Sequence, residues 1–199
     1  AAIRYLSGLT HPAYRHRPLL DAPLVTGDAQ LGSRWATLLV AGFGAGIQGL
    51  FALDVTDPSR LDSEQVLWEF TDADDADIGH VTGRPIIAPV RTGSGTRWFV
   101  IVASGYNNHA PDGAASADGQ GALFFLDPAK PAAEPWRLGR NYWKIRVPLG
   151  DEAAAPGLAQ PAAVFDVAGF ITALYAGDLQ GQLWRFDISA TDPADWRVF

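Results

Sequence analysis

The sequence predicts an all-β chain built from stacked four-stranded blades, of the β-propeller type, and three observations predict it. First, three segments end almost alike: Gly49-Leu50-Phe51-Ala52-Leu53-Asp54, Gly121-Ala122-Leu123-Phe124-Phe125-Leu126-Asp127 and Gly181-Gln182-Leu183-Trp184-Arg185-Phe186-Asp187. Second, each follows another apolar run that ends in small residues, at Leu38–Gly42, Val100–Gly105 and Ala173–Gly177. Third, Phe, Trp and Tyr make up 11% of the chain, with 21 Gly and 14 Pro, a mix that favours strands and turns over helices. A repeat of this size is one supersecondary unit that cannot bury both of its faces alone. Radial stacking buries them and leaves short edges. A β-sandwich is the rival architecture, but it does not require the same strand to end in aspartate three times.

The elements follow in order. In the first unit, strands are expected at Pro23–Asp28, Trp35–Gly42, Gly49–Val55 and Gln65–Thr71. In the second they fall at Arg84–Val90, Arg97–Gly105, Gly121–Asp127 and Tyr142–Val147. In the third they fall at Gln160–Val167, Ile171–Gly177, Gln182–Asp187 and Asp195–Phe199. Runs such as Leu38-Leu39-Val40 and Phe99-Val100-Ile101-Val102 are apolar at every position, as strands buried on both faces are. No apolar pattern at i, i+3, i+4, i+7 is sustained for a helix length. The blades are placed at about 20–72, 83–148 and 158–199 of a single segment covering 1–199. Extra length in the second unit sits in the loop Asn107–Gln120, rich in Ala, Asp and Gly. Propellers usually close with about four to eight blades, so three make an arc of a larger ring or a unit that closes by association.

At 199 residues and 48% hydrophobic content the chain has ample material for a core. A formal charge of −7 argues against nucleic acid or an anionic membrane surface as the main partner. No apolar run approaches the roughly 20 residues that span a bilayer. The absence of cysteine excludes disulfides and thiolate metal sites. With no methionine and a start at Ala1-Ala2-Ile3, the chain reads as a piece of a longer polypeptide.

The repeated residues read first as structure. Asp54, Asp127 and Asp187 are each followed by turn formers, and an aspartate can accept backbone N–H groups two residues on. Trp68, Trp136 and Trp196 follow in the three units, where an indole serves as a packing anchor between blades with its N–H bonded to a neighbour. A ligand platform is the sharper alternative. Pro23, Pro85 and Pro161 stand where each first strand begins, a place that tolerates a missing N–H. The run Gly42-Phe43-Gly44-Ala45-Gly46 invites a phosphate-loop reading, but a strand follows it rather than a helix, which makes it a glycine-rich hairpin turn.

Asp72-Ala73-Asp74-Asp75-Ala76-Asp77 is the densest acidic run, and Asp72, Asp74 and Asp77 are the candidate ligands for calcium, a cation that takes about six to eight oxygens. The spacing lacks the EF-hand pattern, so a solvated loop is the alternative. The Asp112–Asp118 loop is a weaker candidate of the same kind. His11, His16, His80 and His109 show no metal spacing, and Ser104 lies in Ala103-Ser104-Gly105, outside any nucleophile motif. No nucleophile, base and orienter assemble, so no catalytic residue is expected.

Several stretches resemble a known family. Leu39 to Gly46, Gly49 to Pro58, Val66 to Phe70 and Val102 to Asn108 look like the C-terminal domain of PilY-type type IV pilus tip proteins. Tyr175-Ala176-Gly177-Asp178-Leu179-Gln180-Gly181-Gln182-Leu183-Trp184-Arg185-Phe186-Asp187 is the most specific match, and the similarity runs over roughly residues 5 to 189. The resemblance implies a modified, quinoprotein-like β-propeller without catalytic activity, supporting pilus biogenesis, adhesion and twitching motility. It implies minor pilins and the pilus tip complex as partners, a host or abiotic surface as target, and an extracellular place at the pilus tip after passage through the periplasm of a Gram-negative bacterium. It also implies a calcium site in an Asp-x-Asp-x-Asp-x-x-x-Asp loop between the first two strands of the third unit. Here that segment reads Phe165-Asp166-Val167-Ala168-Gly169-Phe170-Ile171-Thr172-Ala173, which keeps only Asp166. Two other functions compete. A quinoprotein dehydrogenase fragment would share the Leu-Asp…Trp pattern, and a calcium-regulated binding domain would use the Asp72–Asp77 loop.

Overall fold

The computed structural model describes residues 1–60, 62–110, 113–149 and 155–199. Among these, twelve strands form three antiparallel sheets of four, each in sequence order. Blade 1 holds β1 (Leu24–Leu31), β2 (Arg34–Gly42), β3 (Gly49–Asp54) and β4 (Val66–Thr71). Blade 2 holds β5 (Ile86–Thr92), β6 (Gly95–Ala103), β7 (Ala122–Leu126) and β8 (Tyr142–Arg146). Blade 3 holds β9 (Ala162–Phe165), β10 (Ile171–Gly177), β11 (Leu183–Asp187) and β12 (Arg197–Val198).

The pleat explains why the central strands are apolar throughout. Blade 2 is covered on both sides, and successive residues point to opposite faces. Val100, Val102, Phe124 and Leu126 join Leu38, Val40, Leu50, Trp68 and Phe70 in a core between blades 1 and 2. Their neighbours Phe99, Ile101, Leu123 and Phe125 join Ile171, Leu174, Phe186 and Trp196 in a second core between blades 2 and 3. Each fully buried Phe or Leu contributes about 1.5–3 kcal/mol, so these two seams hold the arc together. The far face of blade 3 has no such cover: Val164, Tyr175 and Leu183 stay exposed.

One element departs from the sequence expectation. Residues Ala2–Thr10 form a 3₁₀ helix, whose apolar positions do not follow the 3.6-residue period. At three residues per turn, Ile3, Leu6 and Leu9 fall in one row, and all three are exposed.

The glycine-rich run is the β2–β3 connection, with the chain around Arg17–Ala22 laid across it. The Arg17 guanidinium donates to the Gly46 carbonyl (3.0 and 2.5 Å), and Asp21 Oδ1 accepts the Ala45 N–H at 2.8 Å. A Cβ on Gly46 would stand 1.5 Å from the Pro18 carbonyl oxygen. Close approach of this strap is what demands glycine there.

Candidate functional site

The blades present two ends. One carries the β3–β4, β7–β8 and β11–β12 connections, and there the three repeated aspartates act alike. Oδ1 of Asp54 accepts the Thr56 N–H (3.0 Å) and hydroxyl (2.5 Å), while Oδ2 meets Arg34 at 2.7 Å. Asp127 accepts the Ala129 N–H at 2.8 Å and pairs with Arg97 at 2.6 Å. Asp187 accepts the Ser189 N–H (3.0 Å) and hydroxyl (2.7 Å), with Arg185 at 3.2 Å. Partial burial works against the ionised form of Asp54, but the Thr56 bonds and Arg34 outweigh it and hold the carboxyl below its ordinary value. The Ser189 bonds, aided by Arg185, do the same for Asp187.

The tryptophans divide. Trp68 and Trp136 meet edge to face at 5.2 Å across the first seam. Each indole N–H crosses to the other blade, Trp68 to the Pro128 carbonyl (3.4 Å) and Trp136 to the Glu69 carbonyl (2.7 Å). Trp196 packs on Phe99 and Phe125 of blade 2, but its N–H returns to Ala190 in its own blade. These three are not register equivalents. Trp68 lies opposite Ala52 on β4, and the residue at that place in blade 2 is Trp143, opposite Phe125. The β-bulge at Ala52/Leu53 and the longer β7–β8 connection hide this in the sequence.

The opposite end is where the acidic run lies. Asp72, Asp74 and Asp77 do not converge as a calcium shell, and among the described residues no group of three or more His, Asp or Glu side chains is placed to hold a metal ion. Each carboxylate faces protein donors instead. Asp72 Oδ2 accepts the Ala114 N–H at 2.7 Å, which ties the acidic run to the long β6–β7 loop. Asp74 Oδ2 accepts the Thr71 N–H at 2.9 Å, and burial pushes its carboxyl above the ordinary value. Asp77, buried, accepts the Ser116 hydroxyl (2.7 Å) and Lys144 Nζ (2.7 Å), with Arg146 Nε at 3.1 Å. Asp112 lies outside the described residues, and Asp118 is paired with Arg146.

Lys144 is the centre of this cluster. Its ammonium also donates to both oxygens of Asp75 (2.7 and 2.8 Å), and Tyr142 donates its hydroxyl to Asp75 at 2.8 Å. Burial, then Asp75, raises the Tyr142 phenol far above its ordinary value, so it stays a donor. The Asn108 amide bridges the Asp77 and Gln120 carbonyls (3.0 and 2.8 Å), closing the base of the loop. The acids stand out in the sequence and their partners do not. A signal for them exists: Tyr142, Lys144 and Arg146 alternate along β8, so they share the face turned to blade 1.

Asp166 holds a tight turn between β9 and β10. Oδ1 accepts the Ala168 and Phe170 N–H groups (2.8 and 3.0 Å), and Oδ2 meets Arg91 of blade 2 at 2.9 Å. The Phe170 bond most of all, with Ala168 and Arg91, holds its carboxyl below the ordinary value. The residues of this turn do not fit a calcium ion: one carboxylate, already used on both oxygens, cannot supply a shell of about six to eight.

Comparison with known proteins agrees with this architecture. A family model described as the PilY1 beta-propeller domain matches residues 3–197. A type IV pilus biogenesis factor PilY1 homolog of Xylella fastidiosa is 34% identical over 205 residues, covering 98% of this chain and 13% of the relative. PilY1 of Pseudomonas aeruginosa strain UCBPP-PA14 is 33% identical over 184 residues, covering 92% of this chain and 14% of the relative. The crystal structure of the Pseudomonas aeruginosa PilY1 C-terminal domain superposes with a TM-score of 0.70 at 31% identity, over 90% of this chain and 36% of that one. The chain thus spans a small part of the curated relatives, and with a matching family model, sequence and fold it belongs to the PilY1 β-propeller family.

Proposed function

We propose that this chain is a non-enzymatic structural and binding module of a type IV pilus protein. It contributes an arc of propeller that supports pilus biogenesis, and through it adhesion and twitching motility. It works outside the cell, at the pilus tip, where its unequal loops meet minor pilins or a host or abiotic surface. The observation that carries this reading is the Lys144 cluster. The ionisable groups best placed for chemistry are spent on one another, and they fasten the long Asn107–Gln120 loop to blade 1. A loop fixed at both flanks is a surface for recognition, and loops on a rigid scaffold are where binding residues concentrate. The curated relatives are named as pilus biogenesis factors, which supports the same reading. Among the described residues no helix is long and apolar enough to cross a membrane.

The test is retention of minor pilins by the full-length protein, together with piliation of cells that lack it. Co-purification with minor pilins and loss of surface pili are expected. Full piliation without the protein, and no pilin retained by it, would sink the reading.

A further inference from the structure

We propose that Arg91 is a built-in cation at the β9–β10 turn, fastening blade 3 to blade 2 without calcium. The family resemblance places an aspartate-rich calcium loop at this turn, and the residues present do not fit one. What they form is a different device. The turn runs from Asp166 to Phe170 and is closed by the Asp166 N–H to the Phe170 carbonyl (2.8 Å) and the Gly169 N–H to the Asp166 carbonyl (3.0 Å). Gly169 sits at φ +83°, so the backbone reverses in a conformation that suits glycine. Those bonds take up two of the carbonyls a metal could have used. Val167, Ala168, Gly169 and Phe170 bring no side-chain oxygen.

The remaining negative charge is met from the neighbouring blade. Arg91, on β5, sets its guanidinium 2.9 Å from Asp166 Oδ2. The same group lies over the Phe170 ring, 4.0 Å from its centre. One planar cation therefore touches both ends of the turn, the aspartate by charge and the aromatic ring by cation–π attraction. A calcium ion organises a loop by gathering oxygens from within it, and that order goes when the ion is withdrawn. A guanidinium carried by β5 cannot leave. It also bonds the turn to a different blade, so the pairing serves the β5–β10 side of the second seam. The consequence is a turn whose order does not vary with calcium concentration.

Hydrogen exchange read by mass spectrometry on the full-length protein tests this at the turn itself. Amides of residues 162–172 are expected to exchange at the same rate in millimolar Ca²⁺ and in excess chelator. Arg91→Gln is expected to speed their exchange roughly fivefold in both conditions, because a partly exposed ion pair and a cation–π attraction no longer oppose local opening. Arg91→Lys should restore part of the protection, since it keeps the charge and gives up the flat face. Protection that rises with Ca²⁺ in the native protein and is abolished by Asp166→Asn would overturn the proposal. So would exchange in Arg91→Gln that matches the native rate.

Discussion

The two ends of the blades solve the same problem differently. At the end that carries the β3–β4, β7–β8 and β11–β12 connections, one device recurs in all three, and Asp166 repeats it at the β9–β10 turn. An aspartate accepts the N–H two residues on and turns its other oxygen to an arginine. The opposite end has local turns of this kind too, with Asp75 accepting the Asp77 N–H, Asp118 the Gln120 N–H and Asp178 the Gln180 N–H, but it adds one cluster around Lys144. In that cluster the bonds are long-range: Asp77 to Ser116 spans 39 positions and Asp75 to Lys144 spans 69. Local devices can be copied from blade to blade because the aspartate turn itself needs nothing from a neighbour. The long-range cluster is specific to one place, which leaves that end free to differ between blades.

The largest expected break comes from Lys144→Met. It leaves Asp75 and Asp77 buried without their ammonium partner, and should cost about 3 kcal/mol or more in urea unfolding. Adding Asp75→Asn and Asp77→Asn to the same chain should recover most of the loss, because the uncompensated charge goes with them. At the repeated end, Asp54→Ala, Asp127→Ala and Asp187→Ala should each cost about 1 kcal/mol. Their effects should add, since the three turns share no partner.

Titration separates the same groups. Asp54 and Asp187 have folded-state values lowered from the ordinary 3.8, so the stability they contribute is full above it. It is lost as pH falls through the lowered values. Native unfolding curves should lose that increment below about pH 4, and Asp54→Ala should flatten the loss. Asp74 has the opposite sign. Its folded-state value is raised, so its ionised form destabilises the fold as pH rises from 3.8 through the raised value. The smallest effect is therefore expected from Asp74→Asn: within about 0.5 kcal/mol of native at pH 7, and no more stable than native in acid.

Legibility in the sequence follows the same division. The aspartate turns can be read because the side chain and the N–H it binds are two residues apart. The sheets can be read because the apolar runs of β2, β6 and β10 and their glycine-flanked partners repeat. The acids of the Asp72–Asp77 run are visible, but the cations that neutralise Asp75 and Asp77 lie on β8 and the N–H that meets Asp72 lies on the β6–β7 loop, and no local pattern joins these segments. The indoles mislead for a related reason. Trp136 and Trp196 match Trp68 in order along the chain, whereas strand register, with a bulge in the β3–β4 pair, makes Trp143 the counterpart of Trp68. The 3₁₀ helix escapes because its apolar row repeats every three residues.

The Trp68–Trp136 pair has a consequence for how the arc assembles. Each indole finds its acceptor on the other blade, at separations of 60 and 67 positions. Neither outer edge is complete until both sheets are in place. Closing so long a loop costs entropy before any interaction returns it. Half-docked sheets would leave an indole N–H without its acceptor on either side of the seam. Blades 1 and 2 are therefore expected to fold as one cooperative unit, appearing and melting together rather than one after the other.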